Sequence, residues 1–235
     1  MEDFLEYNKY LRKLSKENPQ FGIKRCFSIE DEEREEYRRL MAEIDKINDE
    51  IKATSDRSHK NALSREKGRI LEILSRKILE SADIFMDKEN LRDHTNEIDV
   101  LLTPGDYNRM HSVLLPDYLK DDILVECKNY DKNIKNDWIG KFFSLMTTHK
   151  TKVGLLFSYK RFSGVNEWDA ARGLVRKLFL AENVFIININ FDDIRKHIID
   201  EKMNIVELII SKYEGLKHSV SYKEFISEHP AEIKE

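Results

Sequence analysis

The segment ILVECKNYD, residues 123 to 131, carries the side chains best suited to chemistry. It reads as a strand apolar enough to be buried on both faces, interrupted by Glu126 and Lys128. Side chains alternate along a strand, so positions 126 and 128 share one face while Val125 and Cys127 take the other. A carboxylate and an ammonium in mid-strand are costly unless they pair, hold a metal or line a wet cleft. Cys127 sits beside Val125 on the apolar side and reads as core rather than nucleophile. A second interruption is Asp99, between Ile98 and Val100 in NEIDVLL. On a neighbouring strand, Asp99 joins Glu126 in a hard-oxygen pair suited to Mg²⁺, or to Mn²⁺. The absence of histidine and cysteine ligands from that pair argues against zinc. A cation so held polarises a phosphoryl oxygen and acidifies a bound water, and a neighbouring lysine orients that water or stabilises the developing charge. The chemistry expected is phosphodiester hydrolysis.

The elements that must position these residues follow from periodicity. Apolar residues at helical spacing predict a helix over roughly 62 to 80, and two more over 136 to 149 and 167 to 181. Strands are predicted at 82 to 86, 97 to 102, 123 to 129, 153 to 158 and 184 to 190, each rich in branched apolar residues. The early strands follow one another directly, whereas the last three are separated by helices and are expected to pair in parallel through crossovers. The result is an α/β fold, a mixed β-sheet flanked by helices. Ahead of it, residues 1 to 60 read as a helical arm, with a break around Asn18, Pro19 and Gly22 and a second helix beginning near Ser28. Tyr37, Leu40, Met41, Ile44, Ile47 and Ile51 make one apolar seam on that second helix, which asks for a partner helix in the same chain, in a homodimer or in another protein. A last amphipathic helix is expected over 192 to 214, followed by a polar tail. The chain thus divides into an arm (1 to 60), a core (61 to 192) and a carboxy-terminal helix with its tail (193 to 235).

Asp99, the Glu126-Cys127-Lys128 trio on the next strand and a preceding helix bearing Glu72 together resemble the catalytic motif of the PD-(D/E)XK nuclease superfamily, in its Mrr-like restriction-endonuclease branch. The resemblance spans about residues 62 to 191. Gly68-Arg69-Ile70-Leu71-Glu72 is similar to the helical segment carrying the family's first glutamate. It implies a restriction-endonuclease-like sheet and an active site in which Glu72, Asp99 and Glu126 hold one or two divalent ions while Lys128 acts on the water. It also implies DNA as substrate and restriction of foreign DNA as the role. Cleavage of RNA or branched DNA by the same residues is a second expectation, and an inactive nuclease-like assembly subunit a third.

With 40 Lys and Arg against 44 Asp and Glu, the net charge is −4, so there is no global basic field and any nucleic-acid surface must be local. Lys132, Lys135, Lys141, Lys160 and Arg161 are the basic residues nearest the proposed site, and Arg109 lies in the long connection 103 to 121, expected to touch substrate. Two cysteines are too few for a disulfide framework, which points to a reducing, cytoplasmic setting. The longest apolar runs are strand-length, well short of the roughly 20 residues that cross a bilayer, so no membrane association is expected.

Overall fold

Helical spacing of apolar residues, with acidic groups at the amino-terminal ends, accounts for the long helices of the amino-terminal third. The computed structural model describes residues 2–17, 21–81, 85–88, 92–93, 96–97, 100–166 and 168–219. Helix α1 (Glu2–Glu17) exposes Leu5, Tyr7 and Tyr10, and α2 (Phe21–Cys26) follows. Helix α3 (Asp31–Ala53) starts at Glu30 rather than near Ser28: the Glu33 carboxylate accepts from the Glu30 N–H at 2.9 Å, and three acids in the first turn face the positive end of the helix dipole. Helix α4 (Arg57–Glu80) is capped by Asp56, which accepts from the Ser58 N–H at 2.8 Å. The expected apolar seam of α3 is buried against α4.

The sheet has five strands in the order β1-β4-β5-β6-β7. They are β1 (Phe85–Lys88), β4 (Val100–Pro104), β5 (Ile123–Lys128), β6 (Val153–Ser158) and β7 (Phe185–Asn190); β2 (Arg92–Asp93) and β3 (Asn96–Glu97) pair separately as a short antiparallel ladder. Strand β4 runs antiparallel to β1 and β5, while β5, β6 and β7 are mutually parallel through helices α6 (Asn136–Thr148) and α7 (Ala170–Glu182). The mixed, helix-flanked sheet is therefore present. Of the strand expected over 97 to 102, residue 97 falls in β3 and residues 100 to 102 in β4, while residues 98 and 99 lie outside the described residues.

Alternation sorts the strands between two apolar layers. Ile123, Val125, Leu155, Phe157, Ile187 and Ile189 pack with α3, α4 and the carboxy-terminal helices, whereas Leu124, Leu156 and Ile186 pack with α6 and α7. Residues of α3 and of the sheet share one core cluster, so the seam of the arm's second helix is covered from within the chain. Helix α6 approaches the sheet closely at Gly154, where a Cβ would lie 2.5 Å from the Met146 sulfur and 2.6 Å from the Phe142 ring.

The single helix expected over 192 to 214 is two. A short α8 (Phe191–Asp193) runs on as a π-helix over Ile194–Asp200, the chain turns at Lys202 with φ of 55°, and α9 (Ile205–Ser219) begins afresh. The interruption is a reciprocal capping box in which Asn204 N–H donates to the Glu207 carboxylate and Glu207 N–H donates to Asn204 Oδ1, both at 2.9 Å. Buried Arg34 secures the turn by donating to the carbonyl oxygens of Ile29, Ile198 and Lys202. The tail from residue 220 lies outside the described residues.

The long connection between β4 and β5 is ordered into helix α5 (Asp106–Met110) and 3₁₀ turns at Ser112–Leu114 and Asp117–Leu119.

Candidate functional site

Strand β5 puts Glu126 and Lys128 on its α6 face, where their side chains form an ion pair. Both are mostly withdrawn from water, with side-chain exposures of 11% for Glu126 and 14% for Lys128. The pair borders a cavity of about 360 Å³ shared with Trp138, Lys141 and Leu145 of α6. The Lys128 ammonium stands 4.4 Å from the Trp138 ring centre and the Lys141 ammonium 4.8 Å from it, so the indole face is flanked by two cations. Tyr130 meets Trp138 with ring centres 5.6 Å apart. An ion pair this close to open space, with a second cation across the indole, is an arrangement that can receive an anionic group.

The segment following β5 is held from two directions. Asn129 Nδ2 donates to the Ser64 carbonyl at 2.7 Å, and a Cβ on Gly68 would come within 2.9 Å of that same nitrogen, so a side chain at position 68 would push the Asn129 amide aside. One turn away, Lys67 is 3% exposed and donates to Asn48 Oδ1 at 3.1 Å and to Asp131 Oδ1 at 2.9 Å. Asn48 belongs to α3, so three elements meet at a single ammonium. Tyr159 adjoins the group: its hydroxyl donates to Asp45 at 2.9 Å, and burial together with that bond pushes its pKa up to about 12.

The other residues expected at the site fall in different places. Glu72 is exposed on α4 and borders a separate cavity of about 420 Å³ with Cys127, Asn129 and Tyr130, on the opposite side of the sheet from the α6 layer. Lys128 borders both cavities. Asp99 lies outside the described residues; the described pairing of β4 with β5 ends at Val100 opposite Val125. Lys132 and Lys135 line a further cavity with Tyr130 and Trp138, close to the pair. Lys160 reaches over the Tyr159 ring at 5.0 Å, beyond the end of β6, and Arg161 borders a pocket beside β7. Arg109 is elsewhere. Because β4 is antiparallel, α5 emerges at the starting end of β5, about 16 Å along the strand from Lys128 by the usual rise. There Arg109 pairs with Asp106 at 3.1 Å and lines a cavity with Lys120 and His149.

Asn188 carries the same signal as Glu126 and Lys128 but is not among the residues expected at the site. In FIININ of β7, polar residues at 188 and 190 interrupt an apolar strand at alternate positions, as 126 and 128 do in β5.

The donors fit a hard divalent cation in kind: Glu126 offers carboxylate oxygen, and no histidine or cysteine lines its cavity among the described residues. Among those residues, no three of His, Cys, Asp or Glu gather as a metal-binding group. No described helix is long and apolar enough to cross a membrane. Comparison with protein-family models, with curated proteins and with solved structures gives no match.

Proposed function

We propose that this protein is a divalent-cation-dependent nuclease that hydrolyses phosphodiester bonds in DNA, with a restriction-endonuclease-like sheet of the Mrr-like kind. The observation carrying this reading is the Glu126–Lys128 pair on the open face of β5, next to Trp138 and Lys141. Glu126 and Asp99 are the carboxylates assigned to Mg²⁺ or Mn²⁺, and the pairing of Val100 with Val125 supports neighbouring strands as their source. When bound, the cation supplies Lewis acidity and lowers the pKa of a coordinated water. Lys128 holds the attacking water or the developing phosphoryl charge through its ammonium, and Trp138 fixes where that ammonium stands. Lys141, Lys132 and Lys135 offer cations to flanking phosphates. Glu72 keeps in this reading the role of helix carboxylate that the resemblance implies, although it borders the neighbouring cavity on the other side of the sheet, which Lys128 also lines. Restriction of foreign DNA is the role the sequence resemblance supports, and the two cysteines fit a reducing, cytoplasmic setting.

The test is incubation with plasmid, linear duplex, single-stranded DNA and RNA, each with Mg²⁺, with Mn²⁺ and with chelator. Cation-dependent cleavage of DNA that disappears in Lys128→Ala is the expected result. No cleavage of any substrate, or equal cleavage by the variant, overturns the assignment. Cleavage confined to RNA corrects the substrate and leaves the site.

A further inference from the structure

The sheet register aligns Glu126 of β5 with Leu156 of β6 and Asn188 of β7, and Lys128 with Ser158 and Asn190. These rows lie on one face, so Asn188 stands two strand spacings from Glu126, about 9 to 10 Å. Over the β7 end of the rows, between α7 and α9, opens a cavity of about 430 Å³. Four cations line it: Arg161 after β6, Arg172 and Arg176 of α7, and Lys212 of α9. No carboxylate lines it among the described residues.

The walls of this cavity are built rather than incidental. Arg176 is only 6% exposed and lies 5.9 Å from the Trp168 ring centre, so a permanently charged guanidinium is held inside the protein. Asn188 Nδ2 donates to the Leu156 carbonyl at 2.9 Å and to Ser158 Oγ at 2.6 Å, which locks β7 to β6 beneath the cavity. Asn190 Oδ1 accepts the N–H groups of Asp192 and Asp193, leaving its amide nitrogen, a donor, as the other end of the side chain. Lys212 is held at 2.8 Å by Asp193, whereas no described carboxylate pairs with Arg161 or Arg172. Arg161 and Arg172, which no described carboxylate pairs, bring positive charge to a half-enclosed space where an anion is favourable, and guanidiniums match phosphate oxygens in geometry.

We propose that this cavity is a phosphate-binding subsite, with Arg161 and Arg172 as its accessible clamps and Arg176 as its floor. Its phosphate belongs to the nucleic-acid strand whose neighbouring phosphodiester reaches Glu126 and Lys128. The strand's path rests on the nuclease reading above; the affinity for phosphate does not.

The experiment measures binding of a labelled single-stranded oligonucleotide by fluorescence anisotropy in chelator, over a series of salt concentrations. It compares the wild-type chain with Arg161→Ala/Arg172→Ala and with Arg172→Lys. The double variant, altered only at exposed or half-buried positions, is expected to bind about tenfold more weakly, with the slope of log affinity against log salt shallower by about one phosphate. Arg172→Lys keeps the slope and loses part of the affinity. Inorganic phosphate competes with the oligonucleotide on the wild type and not on the double variant. A preference for 5′-phosphorylated over 5′-hydroxyl oligonucleotide assigns the cavity to a strand end, and equal binding assigns it to an internal phosphate. An unchanged slope and affinity in the double variant overturns the subsite, as does a wild-type chain that binds neither oligonucleotide nor phosphate. Binding that depends on the two arginines without any Mg²⁺-dependent cleavage overturns the nuclease reading and keeps the subsite; cleavage with arginine-independent binding does the reverse.

Discussion

The two faces of β5 use one backbone for different ends. Toward α3 and α4, Ile123 and Val125 are fully buried in a layer closed by apolar helix residues, and even Cys127 is engaged, its thiol 3.1 Å from Ser75 Oγ. Toward α6, only Leu124 is sealed; the next residues on that face are Glu126 and Lys128, under a cavity. The polar positions cluster where the parallel strands end, and β7 repeats the pattern with Asn188 and Asn190. One face is sealed through Val125 and opens only beside Cys127, while the other gives up its last two rows to charged and polar groups. That division suits binding or catalysis on a sheet: rigid support behind, charged and polar groups bordering a cavity in front.

Substitutions on the two faces should therefore fail differently. The largest effect is expected from Lys128→Ala, which should lower the cleavage rate by about a hundredfold or more with the fold retained, as read by initial rates beside circular dichroism. Equal rates, or loss of the circular dichroism signal, would erase the contrast. Next is Val125→Asp, one position from Glu126 but on the sealed face. A carboxylate there has no partner, and a loss of about 4 kcal/mol is expected in urea unfolding. By contrast, Glu126→Gln should change stability by no more than about 1.5 kcal/mol. Lys67→Met sharpens the comparison from behind: it strips Asn48 and Asp131 of their shared donor and should cost about 2 kcal/mol, with cleavage reduced through a looser segment after β5. A Lys67→Met protein of unchanged stability would show that the ammonium is not what holds that segment.

The smallest effect is a pH dependence. Burial and Asp45 raise the Tyr159 hydroxyl from 10.0 to about 12 in the folded protein, so the native state keeps a proton that the unfolded chain releases near pH 10. The stabilisation is complete below about pH 10 and is lost as pH rises through about 12. Tyr159→Phe should flatten the fall in stability across that window, and a parallel fall in both proteins would assign the alkaline loss to other groups.

Which parts of this were legible beforehand depends on how far apart in sequence the cause acts. Strand β6 lies where apolar branched residues predict it, 153 to 158, and α6 and α7 deviate from expectation only at their ends. The failures involve longer range or unrecognised local chemistry. The helix expected through 192 to 214 breaks because Asn204 and Glu207 cap a new start, a short-range signal that the surrounding isoleucines obscured. A loop adjoining β5 is expected to bring Arg109 to the site, but an antiparallel β4 delivers that loop to the far end. The arm reads as an appendage because the pattern of elements changes at residue 61, while α4 and the sheet complete the apolar layer around its second helix.

The amino-acid sequence by itself determined that Glu126 and Lys128 share a face, since the pleat of a strand is set by adjacent peptide units and needs no partner. It likewise determined the order of helices and strands through local periodicity. Only the tertiary structure decided which face stays open, that Glu72 lies across the sheet from Glu126, and that Asn188 stands in Glu126's row beside a cluster of arginines. Register and layer are properties of packing between distant segments, set by which apolar surfaces bury one another, and no short stretch of sequence contains both sides of such a contact.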